Sequence, residues 1–387
     1  MARFLFLTWG GAGNQTPAIG LAAALAGRGH TVTFAGYPDQ ARRFTGFGFR
    51  VLPRAQHAWP PAPPADWMPV LADAVWACPE HLGDVPQLVA DEGCDVLVVD
   101  CLMFGALAAA ERLTVPAAVL VHSAPGALVP PGGGLDLLAL ERVNRIRVSV
   151  GAAPLAALWD AWRPFVTLCT SVPELDPLSD RLPAKFGFVG PVAEPDDGAG
   201  WRSPWPVGDP RPLALVSFST GQAWDQRSRI QRTLDALDDG SHRVLVTTGL
   251  ASVDGVTIPG DAVMVPFVPH ASVLPHAAIT VTHAGHGTVA ASLAHGVPLV
   301  ALPNPAADQP VLARQVAKLG AGIALDGESA TPDEIADACR RVLADGDYAE
   351  AARRMAAVIA GYPSGGGTER LVAAITGLSA IPQPRFR

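Results

Sequence analysis

The sequence predicts an α/β protein with two domains, each a parallel sheet covered by helices. Three observations lead to this prediction. Short apolar runs alternate with helical segments, the alternation stops near residue 190 and restarts near residue 213, and 387 residues suit two cores better than one. The composition agrees, because 49% of the residues are hydrophobic and only 17% are charged. Strands that are buried on both faces of a parallel sheet need such apolar sequences.

The N-terminal domain, residues 1–190, is predicted to open with a strand, a glycine-rich turn and a helix. The strand covers residues 4–8, and the helix begins with Thr16 as its N-cap and Pro17 in its first position. Later elements of the same alternation are the strands 31–35, 95–100 and 117–122 and the helix 104–112.

Residues 191–212 are rich in Pro, Gly and Asp and show no periodic apolar pattern, which indicates a linker. The C-terminal domain, residues 213–365, then repeats the alternation of strands and helices. Its predicted strands are 213–218, 243–247, 278–282 and 299–302, and its first predicted helices are 226–238 and 288–294. Residues 366–387 form a tail that is expected to pack back on the N-terminal domain.

The charge and the cysteines limit the classes of function. A formal net charge of -8 gives no general attraction for nucleic acid or anionic membranes, so neither is predicted as a partner. The five cysteines are an odd number without metal spacing, which favours reduced core thiols and neither a metal site nor a cofactor. Without a signal peptide or a long apolar run, the predicted location is the cytoplasm. A homodimer stays open.

Two insertions interrupt the first domain, at residues 54–86 and 124–162. The first carries Trp59, Trp67 and Trp76 among seven prolines. Long loops at sheet ends often form binding walls, which makes these tryptophans candidates for contact with an apolar substrate. The alternative is that the loops only cover exposed core.

The most informative stretch is "HAGHGT", which follows a predicted strand and turns directly into a helix. Gly285 and Gly287 lack side chains where a backbone must approach a ligand closely. Thr288 is expected to cap the new helix, whose free amides form an anion site. His283 can donate a hydrogen bond to a phosphate oxygen. The turn has no lysine and is therefore a diphosphate site without a P-loop.

A second polar pair, Asp308 and Gln309, opens a helix after the next strand. A carboxylate beside a carboxamide offers neighbouring acceptors and donors that suit the vicinal hydroxyls of a sugar. Alternatively, Asp308 is only an N-cap and Gln309 a solvated neighbour.

The block from residue 263 to residue 320 resembles the donor-binding signature of the GT-B glycosyltransferases of family one, especially bacterial enzymes that glycosylate antibiotics. The resemblance implies two Rossmann-like domains facing each other across a cleft, the first binding the acceptor and the second the nucleotide sugar. The donor contacts that it implies are His283 and the turn Gly285, His286, Gly287 and Thr288 for the diphosphate, Asp308 and Gln309 for the sugar, Val268 beside the base, and Ser219 and Thr220 as further diphosphate contacts.

One position in this block indicates which nucleotide the donor carries. Members that use uridine diphosphate sugars commonly place a Glu eight residues after the signature His, where it accepts from both ribose hydroxyls. Ala291 occupies that position here and cannot make the contact. A deoxynucleoside does not need it, so the donor is predicted to be a dTDP-sugar, with a UDP-sugar as the alternative.

The sequence departs from this family at the catalytic base. The family's His in the turn after the first strand is replaced by Asn14, which cannot titrate, while its Asp partner is matched by Asp100. Three readings follow: Asp100 acts directly with Asn14 orienting the hydroxyl, another His takes over, or the acceptor is acidic enough to need little help. The other histidines considered are His57, His81 and His122, and His122 is also placed at the acceptor site. Asp100 would need desolvation to raise its pKa.

The predicted function is an inverting glycosyltransferase that moves a sugar from a nucleotide diphosphate to a hydroxyl of a small, largely apolar natural product. A nicotinamide-dependent oxidoreductase is disfavoured, because Thr16 replaces the third Gly of the dinucleotide motif and no acidic residue follows the second strand near Ala35. A catalytically silent relative that binds nucleotide sugar and assists a partner protein remains the alternative, and a GT-B-like sugar epimerase is a weaker one.

Overall fold

The computed structural model describes residues 1–11, 13–55, 67–183, 186–195, 200–218, 224, 226–363 and 365–376. The chain forms two compact units. The first contains residues 1–173, 178–195 and 363–387, and the second contains residues 174–177 and 196–362.

The first unit is built on a six-stranded sheet whose ladders are all parallel. In order across the sheet, the strands are β3-β2-β1-β4-β5-β6. Their bounds are β1 (Arg3–Leu7), β2 (Thr31–Gly36), β3 (Gly48–Val51), β4 (Val96–Asp100), β5 (Ala117–Val121) and β6 (Val166–Cys169).

Helices connect these strands. The described helices of the first unit are α1 (Gln15–Ala26), α2 (Trp67–Leu71), α3 (His81–Glu92), α4 (Phe104–Ala110), α5 (Pro125–Leu128) and α6 (Gly134–Ser149). Shorter helical turns cover Pro38–Phe44, Ala72–Trp76, Leu158–Trp162, Pro173–Leu175 and Ser179–Arg181.

The second unit repeats the same architecture. Its sheet is parallel, with the order β12-β11-β10-β7-β8-β9. The strands are β7 (Leu213–Ser217), β8 (Arg243–Thr247), β9 (Val263–Val265), β10 (Ala277–Thr282), β11 (Leu299–Ala301) and β12 (Gly322–Ala324). The helices are α7 (Arg227–Ala236), α8 (His270–Val273), α9 (His286–Ala294), α10 (Gln309–Lys318), α11 (Pro332–Ala344) and α12 (Gly346–Ala360), and a short helical turn covers Leu274–His276.

A last helix, α13 (Gly366–Thr376), lies in the first unit and packs against β4, β5, β6 and α1. Leu371 is fully buried there within the apolar cluster under the first sheet. Helix α13 therefore belongs to the same unit as β1.

Both sheets have the doubly wound order of a Rossmann fold, which confirms the predicted α/β class. In each sheet the strand order reverses next to the first strand, between β1 and β4 in one unit and between β7 and β10 in the other. Connections leave in opposite directions at such a point, which opens a crevice at the carboxyl ends of the two strands. Each of the two described sheets therefore has a point at which ligands of such folds bind.

The central strands are apolar because helices cover both of their faces. All five residues of β4 and all five of β7 are buried. Such continuous apolar runs are expected for interior parallel strands.

The first helix begins earlier than the sequence suggested. Its N-cap is Asn14, not Thr16, and the Asn14 side chain makes no cap hydrogen bond. The hydroxyl of Thr16 instead donates to Oε1 of Glu194 at 2.8 Å. The prediction of Thr16 as the N-cap was wrong because the helix begins at Gln15, which puts Pro17 in its third position and not in its first.

The five cysteines are buried and free, as the sequence predicted. Within the described residues, no helix has both the length and the hydropathy to cross a membrane. The cytoplasmic location stays a prediction.

Candidate active site

Three neighbouring strands of the first unit bring polar side chains to one edge of the sheet. Asp100 is the last residue of β4, Asn14 follows β1, and His122 directly follows β5. Because β1, β4 and β5 are adjacent and parallel, their carboxyl ends lie side by side. Asn14 and Asp100, both of which the sequence analysis assigns to the acceptor hydroxyl, therefore lie close together. Their catalytic roles stay predictions.

Asp100 is buried and holds four hydrogen bonds. Its Oδ1 accepts from Nε1 of Trp9 at 2.9 Å and from the amide of Leu102 at 3.0 Å. Its Oδ2 accepts from Nδ2 of Asn14 at 3.0 Å and lies 3.1 Å from Nδ1 of His122. Each carboxylate oxygen therefore has two donors, which is its usual capacity.

This arrangement favours the ionised form of Asp100. Burial by itself raises the pKa of the carboxyl group, but the charge and hydrogen bond of His122, with hydrogen bonds from Leu102 and Asn14, bring the pKa below its usual value. The net shift is thus opposite to the rise that a carboxylate base would need.

His122 carries the complementary shift. Burial opposes its charged form, but the contacts with Cys101 and Asp100 raise the pKa of His122 well above its ordinary value. Sγ of Cys101 lies 3.4 Å from Nδ1 of His122. Because burial also raises the pKa of the Cys101 thiol, this thiol is neutral at pH 7, and the carboxylate of Asp100 supplies the negative charge.

Asn14 is fixed in one orientation. Its Nδ2 donates to Oδ2 of Asp100, to the carbonyl of Trp9 at 3.1 Å and to Oγ1 of Thr8 at 3.3 Å. A flipped amide would point its oxygen at an ionised carboxylate, so the orientation follows from the network. Oδ1 of Asn14 is buried and has no hydrogen-bond partner among the described residues. It can accept one hydrogen bond from a ligand.

Asp100, Cys101 and His122 also have the residue types of a metal site, with their ligand atoms within 4.8 Å of one another. However, Asp100 and Cys101 both face the same nitrogen of His122, and both oxygens of Asp100 already accept protein hydrogen bonds. The cluster is therefore best described as a hydrogen-bonded one.

The other histidines considered as bases differ from His122. His81 is fully buried, with Nε2 at 3.1 Å from the hydroxyl of Tyr37. Burial lowers its pKa to about 4, so it is a neutral core residue. His57 lies outside the described residues.

The tryptophans predicted at the acceptor site lie deeper than expected. Trp67 and Trp76 are both buried, and Trp59 lies outside the described residues. Trp76 packs edge to face against Trp9, with ring centroids 6.0 Å apart. The indole nitrogen of Trp76 has no hydrogen-bond partner among the described residues. Trp76 thus adjoins the indole that donates to Asp100.

The "HAGHGT" turn lies at the strand-order reversal of the second sheet. His283 follows β10, and Gly285 is the N-cap of α9. The prediction that Thr288 caps this helix was wrong, because Ala284 turns the chain with a positive φ of 62° and the helix starts at His286. His286, Gly287 and Thr288 therefore form its first turn, where free amides accumulate.

The two glycines of the turn have different surroundings. A Cβ on Gly285 would lie 2.4 Å from Nε2 of His283, so the imidazole ring packs over this glycine. A Cβ on Gly287 would meet nothing within 4 Å, and Gly287 is exposed. Burial, followed by the charge of Arg229, lowers the pKa of His283 to about 4, which makes the ring neutral at pH 7.

The second predicted turn is also strained. Ala307 has a positive φ of 61° and immediately precedes Asp308, the N-cap of α10. The Asp308 side chain makes no cap hydrogen bond. Oε1 of Gln309 accepts from the amide and from Nδ2 of Asn304, at 3.1 and 2.8 Å. Among the described residues, Ala284 and Ala307 are the non-glycine residues with positive φ, and such strain concentrates at functional sites.

The remaining predicted donor contacts are partly visible. Val268 is buried within an apolar cluster that includes Trp205, and Ala291 packs against the same cluster. Ser219 and Thr220 lie outside the described residues. The contact of Val268 with the base and the place of Ala291 at the ribose stay predictions.

Comparison with known proteins agrees with this description. Residues 231–373 match the family described as Erythromycin biosynthesis protein CIII-like, C-terminal domain. The chain is 28% identical over 386 residues to demethyllactenocin mycarosyltransferase of Streptomyces fradiae, covering 89% of this chain and 80% of that protein. It is also 28% identical to 4'-demethylrebeccamycin synthase of Lentzea aerocolonigenes, covering 88% and 92%.

Solved structures share the fold over almost the whole length of the chain. The glycosyltransferase of kitacinnamycin superposes with a TM-score of 0.78 at 22% identity, covering 98% of this chain and 99% of that one. The glycosyltransferase VinC in complex with dTDP superposes with a TM-score of 0.70 at 21% identity, covering 97% and 100%.

The two doubly wound units and the similarity over most of the chain define a GT-B glycosyltransferase. Its relatives include glycosyltransferases named for antibiotics, and its residues 231–373 match the EryCIII-like C-terminal domain. The predicted family and enzyme class are thereby confirmed, and the oxidoreductase alternative is set aside.

Sequence reasoning missed two residues of the site. Trp9 lies in the glycine-rich turn after β1, and this position at the end of the strand could have placed it near Asp100. The Asn304 side chain, which holds Gln309, gave no sequence signal, because its contact depends on the local turn.

Proposed function

We propose that this enzyme transfers a sugar from a nucleoside diphosphate to a hydroxyl of a largely apolar natural product, with inversion at the anomeric carbon. The observation that carries the proposal is the turn from His283 to Thr288. This turn combines a strand-order reversal, a strained Ala284 and the start of a nine-residue helix. Helix N-termini hold anions and stabilise charge on a departing diphosphate.

The sugar contacts follow from the neighbouring turn. Asp308 offers a carboxylate at the start of α10. Gln309 is held through its oxygen by Asn304, which leaves its Nε2 amide to donate to a sugar hydroxyl. Ala307, with its positive φ, directly precedes both residues.

The proposed donor is a dTDP-sugar. Ala291 offers no acceptor for a ribose 2′-hydroxyl, which thymidine lacks. The support from known structures is that VinC is named in complex with dTDP. Val268, buried in the apolar cluster against which Ala291 also packs, is proposed to contact the base.

The acceptor is proposed to bind to the first unit. Asp100, Asn14 and His122 provide the polar groups there, and the aromatic pair of Trp9 and Trp76 lies beside them. The mycarosyltransferase is named for demethyllactenocin and the synthase for its product 4'-demethylrebeccamycin, which supports a natural product as the acceptor.

A catalytically silent role is the second candidate, and Asn14 in place of the usual base favours it. A silent protein would bind nucleotide sugar but not cleave it. Sugar release from the donor therefore separates the two candidates.

The test has a binding arm and a turnover arm. Calorimetry should show that thymidine diphosphate binds to the wild type at least as tightly as uridine diphosphate, and that His283→Ala weakens this binding by about tenfold or more. His295→Ala is the matched control, since this exposed residue lies at the other end of the same helix. Unchanged affinity in folded His283→Ala would contradict the donor site.

In the turnover arm, dTDP-glucose is incubated with a panel of macrolactone and aromatic polyketide aglycones, and products are detected by their added hexose mass. Formation of a β-linked product from the α-linked donor supports an inverting enzyme. Binding without any release of thymidine diphosphate, with or without aglycone, would favour the silent role.

A further inference from the structure

Asp100 is poorly placed to take a proton from a substrate. Its two oxygens already accept from Trp9, Leu102, Asn14 and His122, so a hydroxyl would have to displace one of these donors. An ionised carboxylate with a lowered pKa is also a weak base. The proton acceptor of the reaction therefore has to be sought beside Asp100.

His122 has the geometry of such a group. Its Nδ1 lies 3.1 Å from Oδ2 of Asp100, so the proton of the neutral ring is held on Nδ1 and the lone pair remains on Nε2. Within the described part of the chain, Nε2 makes no hydrogen bond, and 11% of the side chain is exposed. We propose that Nε2 of His122 removes the proton of the acceptor hydroxyl and that Asp100 positions the ring. This inference rests on the proposed function.

The step balances without any further reactant. The acceptor oxygen forms a bond with the anomeric carbon while its proton moves to Nε2 of His122. The bond from that carbon to the diphosphate breaks, and its electron pair leaves on the phosphate oxygen. The resulting imidazolium is stabilised by the carboxylate of Asp100 and later returns the proton to water.

Asn14 completes the arrangement as a positioning residue. Nδ2 of Asn14 and Nδ1 of His122 reach the same oxygen of Asp100, so Asn14 and His122 flank that oxygen. The enzyme thus retains a histidine-carboxylate pair, although the histidine follows β5 and not β1.

The pair makes the reaction depend on pH. The titratable groups that face His122 are Asp100 and Cys101, and the Cys101 thiol stays neutral. Below its raised pKa His122 is protonated and cannot accept a proton, so turnover should rise with pH and level off above that pKa. A base at Asp100 would instead give turnover that is flat above pH 5.

The first measurement needs no substrate. In ¹⁵N-labelled protein, the signals of His122 are assigned by their loss in His122→Gln. Above its pKa the ring should carry its proton on Nδ1, and Asp100→Asn should lower the His122 pKa. A neutral ring with its proton on Nε2 would overturn the proposal, because no lone pair would then face the substrate.

The second measurement follows hydrolysis of dTDP-glucose, in which water takes the place of the acceptor. His122→Gln should lose about 10²-fold or more of the turnover at pH 8.5, together with its dependence on pH. Its affinity for thymidine diphosphate should stay unchanged. His30→Gln is the matched control, since His30 lies just before β2 at the opposite edge of the same sheet.

The outcomes separate this inference from the proposed function. If His122→Gln retains wild-type turnover and pH dependence, His122 is not the base, while donor cleavage still supports a transferase. If the wild type neither binds nor cleaves the donor, the proposed function fails and the catalytic role of His122 fails with it.

Discussion

Nδ2 of Asn14 lies 3.0 Å from Oδ2 of Asp100, and Nδ1 of His122 approaches the same oxygen at 3.1 Å. The residue that replaces the usual base therefore still contacts that base's partner. Asn14 is a neutral donor to Oδ2 of Asp100, and the same oxygen also contacts His122, which follows another strand.

Asn14→Ala should lower turnover less than His122→Gln does. The change removes one of four donors from Asp100 and one acceptor for the substrate, but it leaves the pair of His122 and Asp100 intact. We expect a loss of about tenfold, corresponding to one hydrogen bond, with the pH dependence preserved. Rates of dTDP-glucose hydrolysis across pH 6 to 9 provide the measurement. A flattened profile in Asn14→Ala would show that Asn14 takes part in the proton transfer.

Gly287→Ala should stabilise the free protein and weaken donor binding. A methyl group there meets nothing within 4 Å, and Ala is favoured over Gly inside a helix by roughly 0.5–1 kcal/mol. The same methyl would obstruct a diphosphate at the start of α9, lowering its affinity by about tenfold or more. Thermal unfolding and calorimetry with thymidine diphosphate measure the two effects.

The contrasting variant is Gly285→Ala, whose Cβ would collide with the ring of His283. It should weaken both the fold and the binding. Unchanged affinity in Gly287→Ala would mean that the diphosphate does not approach this backbone.

Ala291→Glu should shift the nucleotide preference toward uridine. A carboxylate at this position can accept from a ribose 2′-hydroxyl, and Glu is well tolerated in a helix. We expect the ratio of uridine to thymidine diphosphate affinity to rise by about tenfold, with Ala291→Gln rising less because an amide oxygen is a weaker acceptor. Competition calorimetry decides this. An unaltered ratio would place the ribose away from Ala291.

Donor binding should take up a proton. The pKa of His283 in the free protein is about 4, and a bound diphosphate raises it because opposite charge favours the protonated ring. Affinity for dTDP-glucose, whose diphosphate does not titrate near neutral pH, should therefore fall as pH rises from 6 to 8. Calorimetry in buffers of different ionisation enthalpy measures the proton directly. Equal uptake in His283→Gln would assign the proton to another group.

The pair of His122 and Asp100 should also contribute to stability in a defined pH window. The folded pKa of His122 is raised, so its contribution is complete below the unfolded value near 6.5 and is lost as pH rises through the folded pKa. The folded pKa of Asp100 is lowered, so its contribution is lost as pH falls below about 4.

His122→Gln should accordingly be less stable than the wild type by about 1–3 kcal/mol at pH 5 to 6, a range typical of charged hydrogen bonds. The difference should shrink at high pH, where only packing distinguishes the two proteins. Urea unfolding at several pH values gives the comparison. A difference independent of pH would indicate that His122 is not charged in the folded protein.

The sequence by itself determined the two-domain α/β class and the positions of most central strands, because apolar runs flanked by Gly and Pro have one favourable use in a parallel sheet. It also placed the turn between β10 and α9 that is proposed to bind the diphosphate, since glycines directly between a strand and a helix carry a specific backbone requirement. Its assignments of helix starts at Thr16 and Thr288 were wrong. The Thr16 hydroxyl bonds the distant Glu194, whereas Ala284 turns the chain locally so that α9 starts at His286.

Only the tertiary structure decided the protonation chemistry of the first unit. Trp9 and His122 are far from Asp100 in the sequence, and the order of the strands in the sheet brings both of them to its carboxylate. The pKa of Asp100 depends on how burial competes with these neighbours. Burial alone would have raised this pKa, whereas the neighbours lower it below its usual value. Local sequence encodes which groups can titrate, whereas the contacts between strands set where their protons reside.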